Sequence, residues 1–188
     1  MQSTKHRLST RRGDSATAGL YFVVGQIGWF VCVLGAAHSQ AWLGMLFAAL
    51  AVAWHLLRVA DARREARLLV VTVSIGMIWE SLLVYSGLLA YPSGTFIAGV
   101  APYWLGALWA LFAIQFNTVY GWLHGRPLLA ALLGALAGPL SFRAGAALGA
   151  VRFIQPLAAW TVLALGWCVM LPSLLWLARR WDGVSAGR

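Results

Sequence analysis

Acidic residues are scarce in this chain: five Asp and Glu stand against fourteen Lys and Arg in 188 residues, and only ten per cent of positions are charged. A soluble domain carries about 25% charged and about 45–50% apolar residues. Here 61% of residues are hydrophobic and the mean hydropathy is +0.77, which excludes an ordinary water-soluble fold. Cysteine is nearly missing. Cys32 and Cys168 both lie inside apolar runs, with no Cys-x-x-Cys, and read as buried inert thiols rather than a disulfide or a metal site. No His-Glu-x-x-His, Glu-x-x-His pair, phosphate-cradling glycine loop or Gly-x-Ser-x-Gly occurs. No metal and no cofactor is therefore expected, and the chain alone is not expected to hydrolyse ATP or run di-iron chemistry.

What the chain does have is six long apolar runs, at about 19–37, 41–58, 68–90, 99–122, 127–151 and 158–178. A spanning helix needs roughly 20 apolar residues. The runs are continuous rather than alternating, and a lipid-exposed backbone must satisfy its hydrogen bonds internally, so helices are expected and strands are not. The expected architecture is all-α: a polytopic, compact six-transmembrane-helix bundle over residues 19–180. A flexible basic tail (1–18) precedes it and a short tail (181–188) follows. The apolar part of the first run exceeds the roughly 7–15 residues of a signal-peptide core, so it is read as an uncleaved helix.

The charges sit between the runs. Lys5, Arg7, Arg11 and Arg12 precede the first run, and Arg58, Arg63, Arg64 and Arg67 fill the second connection. Arg126 lies in the fourth connection, and Arg179, Arg180 and Arg188 follow the last run. With both termini cytoplasmic, twelve of the fourteen cations fall on one side, leaving Arg143 and Arg152. This is the positive-inside pattern of an inner-membrane, multi-pass protein. It assigns the net charge of +9 to topology and anionic lipid heads rather than to nucleic acid, for which no module is present. Trp42, Tyr91, Tyr103, Trp104 and Trp160 at the outer run ends, with Trp122 and Trp181 at the inner ones, read as interfacial rings.

Glycines mark close helix contacts: Gly25, Gly28 and Gly35 with Cys32 on the first helix, and Gly134, Gly138, Gly145 and Gly149 on the fifth. Pro139 removes a backbone donor in mid-helix and predicts a kink or break.

Glu80 is the principal candidate site residue. It lies mid-way along the third run, where a central charge costs about 2.5–3.5 kcal/mol on insertion scales, so it must pair, bind a proton or contact a ligand. Gly76 and Gly87 share its helical face and turn it toward neighbouring helices. Arg143 is its candidate partner, at comparable depth on a parallel helix, although the helical angle turns it away from the glycine stripe unless Pro139 redirects it. Gln26 and Asn117 are placed to bond across helices, and His55, one turn before Arg58, to reach the membrane interface. Trp79 and Tyr85 flank Glu80 as candidate pocket walls.

Several stretches together carry a family resemblance: Gln26 to Gly35, Glu80 to Leu83, Leu108 to Ala113, and Gly138 to Ser141 followed by Ala144-Gly145. Their order resembles a family of small bacterial inner-membrane proteins known only as a domain of unknown function. The resemblance implies six membrane helices, an acidic residue at position 80 and an aromatic or apolar one at position 143, so that Arg143 is a departure. It also implies encoding beside lipid-modifying enzymes. Three functions follow as expectations. In the favoured one, the protein acts on, or assists modification of, an acyl or isoprenoid lipid, with membrane lipids and a lipid-modifying enzyme as partners. The alternatives are a small proton-coupled transporter and an assembly subunit of a membrane complex.

Overall fold

The computed structural model describes the backbone of residues 2–185 and the side chains of residues 15–185. The basic tail expected over residues 1–18 lies, up to Asp14, outside the residues whose side chains are described. The chain is all-α apart from one short ladder. It forms α1 (Gln2–Ala37), α2 (Trp42–Arg58), α3 (Ala62–Tyr85), β1 (Leu89–Ala90), α4 (Trp104–Ala113), α5 (Pro127–Ala147), β2 (Arg152–Phe153) and α6 (Pro156–Arg180). Four helices are long and apolar enough to cross a membrane: α1 over Ser15–Ala37, α3, α5 and α6. The other two, α2 and α4, are apolar but shorter.

The helix starts follow local chemistry. Asp61 caps α3 by accepting from the N–H groups of Arg63 and Arg64, each at 3.1 Å, so this helix begins six residues before the expected apolar boundary at 68. Pro127 and Pro156 occupy first-turn positions of α5 and α6, where a missing N–H costs nothing. The ends of α3 and α5 are also chemically defined. At each, a glycine with positive φ (Gly87 at 67°, Gly149 at 87°) follows the cap residue. The paired bonds Leu88 N–H to Leu83 C=O and Gly87 N–H to Val84 C=O, matched by Ala150 to Gly145 and Gly149 to Ala146, close the left-handed helix terminus. Gly87 is thus a helix-terminating turn, not a member of the Glu80 face as the sequence suggests. The two turned chains then meet: β1 pairs antiparallel with β2, Leu89 opposite Phe153 and Ala90 opposite Arg152.

The expected helix over 99–122 is reduced to ten residues. Gly99, with φ of 79°, and Pro102 hold its start back. At the far end the Gln115 carbonyl accepts from the N–H groups of Thr118, Val119 and Tyr120, which winds the chain into stacked turns and a 3-10 turn at Gly121–Leu123 instead of helix. α5 runs through Pro139 without a break, contrary to the alternative of a broken segment.

α4 is the hub, packed against α1, α2 and α3, while α5 and α6 form the closest pair. The glycine stripe explains that pair: a Cβ at Gly134 or Gly138 would meet Trp167 of α6. The predicted close approach is therefore within this chain. One apolar cluster joins α1, α2 and α4 through Cys32, Ala48, Leu105 and Leu111. A second joins α3, α4, α5 and α6 through Leu68, Trp109, Ala130 and Leu174. Both thiols are free, Cys32 buried and Cys168 half-buried. The cations of the second connection, Arg126, and Arg179–Arg180 gather at one end of the bundle, with Arg152 at the other.

Candidate functional site

α1 and α5 are not among the closely packed helix pairs. Between them opens a cavity of about 660 Å³, its walls completed by α4 and α6. A single cross-link bridges its mouth, the Trp29 indole N–H donating to Ser141 Oγ at 3.1 Å. The mouth residues Gln26, Phe30, Leu140 and Ala144 are exposed, so the opening lies on the flank of the bundle, between two of the four membrane-length helices.

Glu80 lines this cavity and is 2% exposed. Its Oε2 accepts a hydrogen bond from the Tyr91 hydroxyl at 3.0 Å, and the Trp109 indole is its other polar neighbour. Neither partner is a cation. Among the described residues the ion pairs are His55–Glu65 and Arg64–Asp61, so Glu80 faces the cavity without a basic neighbour.

Each wall follows from a local rule. The Gly87 turn sends the chain back over the end of α3, and the β1–β2 ladder pins it, so Tyr91 hangs above Glu80 from the residue after β1. Tyr91 then packs edge-on against Trp104, centroids 5.7 Å apart. The loop beyond is folded down by Ser93 Oγ donating to Ala36 C=O at 2.6 Å and by Ala101 N–H donating to Ser81 Oγ at 3.1 Å. Gly76, one turn before Glu80, leaves room for the Trp109 ring against α3. Trp109 stacks on Trp167 at 5.3 Å and 9°, and Trp167 in turn lies over Gly138. Four helices thus meet through two indoles, each set on a glycine.

Of the residues marked from sequence, Glu80 and Gln26 line the cavity. Arg143 does not reach Glu80: it is exposed on α5, as its helical angle suggested, because the uninterrupted helix never turns it inward. Trp79 packs over Gly166 of α6 and Tyr85 is 83% exposed, so neither is a cavity wall. Asn117 bonds not to Gln26 but to Glu65 Oε1, at 2.9 Å. Tyr91 and Trp104, read as interfacial rings, are instead a ligand of Glu80 and a buried wall.

The family model matched by residues 20–173 is described as "Protein of unknown function (DUF2878)". The chain belongs to that family. No curated protein and no solved structure matches it.

A second polar cluster, at the basic end, was not legible in the sequence. His55 is fully buried rather than interfacial. Its Nδ1 is hydrogen-bonded to the Tyr21 hydroxyl at 2.8 Å and its Nε2 to Glu65 Oε2 at 3.2 Å. Glu65 Oε1 accepts from Asn117 and, at 2.9 Å, from the Gly183 N–H. The Gly183 carbonyl accepts from Asp61 N–H at 3.0 Å. This cluster ties α1, α2, α3, the post-α4 turns and the C-terminal segment together with every main donor matched. Gln115 Oε1 and Trp167 Nε1, which line the cavity, are buried without partners, as is Asn117 Oδ1 in the basic-end cluster. Among the described residues no three His, Cys, Asp or Glu side chains converge.

Proposed function

We propose that this protein is a six-crossing bacterial inner-membrane protein, both termini cytoplasmic, whose lateral cavity takes one acyl or isoprenoid chain from the bilayer. The polar end of that amphiphile lies against Glu80 and Tyr91, where it is held for, or undergoes, modification, with a lipid-modifying enzyme as the partner of the site. The observation that carries this reading is the cavity itself: largely aromatic and aliphatic, open on the flank between α1 and α5, and polar at its Glu80 end. Ligand pockets of about 300–1,000 Å³ are apolar with few placed polar groups. A flank opening between membrane-length helices gives onto hydrocarbon, not water.

The crossings rest on four long helices. To these are added α2, at 17 residues about 26 Å long, and α4 extended by the turns after it. Non-helical backbone at membrane depth is tolerated where protein buries it, and Ile114, Gln115 and Phe116 are buried. Segregation of the basic clusters to one end supports the orientation. A carrier requires access from both faces, and the loop after Tyr91 folds across the end of the bundle nearest Glu80, which favours a binding or modifying role.

The test is lipid mass spectrometry on protein purified in mild detergent. Wild type should carry one single-chain amphiphile class enriched over the solubilised membrane, and Ala137→Trp, which fills the mouth, should reduce that enrichment by about ten-fold. Bulk membrane composition in both would refute the reading.

A further inference from the structure

The cavity is lined by no Lys, Arg or His; Glu80 is its one carboxyl group. Gln115 adds a buried acceptor. Its Nε2 donates to Leu111 C=O at 2.9 Å, which fixes the amide so that Oε1 is the atom left over, and that oxygen has no partner although the residue is 5% exposed. Arg143 is exposed on the outer side of α5, and the remaining cations of the described chain lie at the helix ends.

From these two acceptors and the missing cation we infer that the amphiphile carries a hydrogen-bond-donating head without negative charge, a hydroxyl or an amine, and that phosphate and carboxylate heads are rejected. The inference rests on the proposed lateral binding site and specifies its ligand. A hydroxyl or amine can donate to the Glu80 carboxyl, whose Oε2 already holds the Tyr91 hydroxyl at 3.0 Å. Gln115 Oε1 and the Trp167 indole N–H, both lining the cavity and both unpaired, add one acceptor and one uncharged donor to it, which a hydroxyl can serve in both senses. The rings of Tyr91, Trp104 and Trp109 around the acid tolerate an ammonium through their π faces. An anionic head meets the reverse. It gives up its water with no cation in return, and an unpaired buried charge is strongly disfavoured.

The experiment uses full-length protein in phosphatidylcholine nanodiscs and a photoactivatable diazirine hexadecanol as probe, with cross-linked residues mapped by mass spectrometry. Chain-matched hexadecanol, hexadecylamine and hexadecyl phosphate compete. The expected result is labelling of cavity residues, displaced by the alcohol and the amine at mole fractions at least ten-fold lower than by the phosphate. In Glu80→Gln the amine's advantage over the phosphate should shrink to below about three-fold. Should that variant misfold, the wild-type ranking decides alone. Phosphate competing as well as the alcohol and amine in wild type would overturn the head-group assignment while leaving the cavity as a lipid site. Absence of any cavity labelling would overturn the lateral site and the inference with it.

Discussion

Replacing Glu65 with Ala removes the acceptor of three donors at once: His55 Nε2 at 3.2 Å, and Asn117 Nδ2 and Gly183 N–H at 2.9 Å each. Glu65 is 3% exposed and His55 fully buried, so water does not readily take its place. Leaving a buried donor unpaired costs about 1–3 kcal/mol, so three such losses would come to about 3–9 kcal/mol if they added. The lower total is the better guide, since the three losses share one relaxation and do not add. For a chain of this size each kcal/mol is worth about 2–4 °C, so the apparent Tm in detergent should fall by roughly 10 °C. Glu65→Gln keeps one oxygen and should lose less than half of that. Hydrogen exchange supplies the local readout: the Gly183 amide should be protected in wild type and exchange freely in Glu65→Ala. A Tm within about 2 °C of wild type, with Gly183 protection unchanged, would refute the idea that this cluster clasps the C-terminal segment to α3.

Glu80 should behave in the opposite way. Glu80→Gln preserves volume and an acceptor for Tyr91, so stability should change by less than about 1 kcal/mol while the preference for an amine over a phosphate head shrinks; a large drop in Tm with that preference unchanged would point to a purely structural acid. Gly76→Ala places a methyl group in the Trp109 ring and should cost about 1–3 kcal/mol through overpacking, read as a lowered Tm and as altered tryptophan fluorescence. His124, in the connection before α5, has its pKa lowered from 6.5 by burial and then by the Arg179 charge, with Asp182 opposing. Folding therefore favours the neutral ring: its contribution is present above about pH 6.5 and is lost as the pH falls through the folded-state value. The Tm of wild type should decline below about pH 6.5 more steeply than that of His124→Gln, and parallel profiles would contradict this.

The helical class was legible because continuous apolar runs leave the backbone few other solutions in lipid, and the start of α5 and the end of α2 fell where proline and arginine placed them. Glu80 was legible for a related reason: an acid inside such a run has no innocuous location. Its partner was not. Tyr91 reads as an interfacial ring until the Gly87 turn and the β1–β2 ladder fold it back, and that ladder pairs Leu89 with Phe153, a contact with no local signature. Arg143 illustrates the converse error, where matching depth suggested a pair that its helical angle forbids. Glu65 was hidden in Arg63-Arg64-Glu65-Ala66-Arg67, a run that reads as a solvated connection. The Asp61 cap carries the helix back through it, and this was the available signal. Nothing near Gly183 points 118 residues back to that carboxylate. The shortened α4 was missed because its continuation is as apolar as a helix, and only the Gln115 carbonyl, gathering three N–H groups, turns it aside.

The most direct measurement is a structure determined from a lipidic cubic phase doped with a native lipid extract. The account predicts chain-like density passing between Trp29 and Leu140 into the cavity, with a polar atom within hydrogen-bond distance of Glu80 and Tyr91. Glu80 paired with a cation of this chain, or a cavity closed by α1 packed directly on α5, would contradict it.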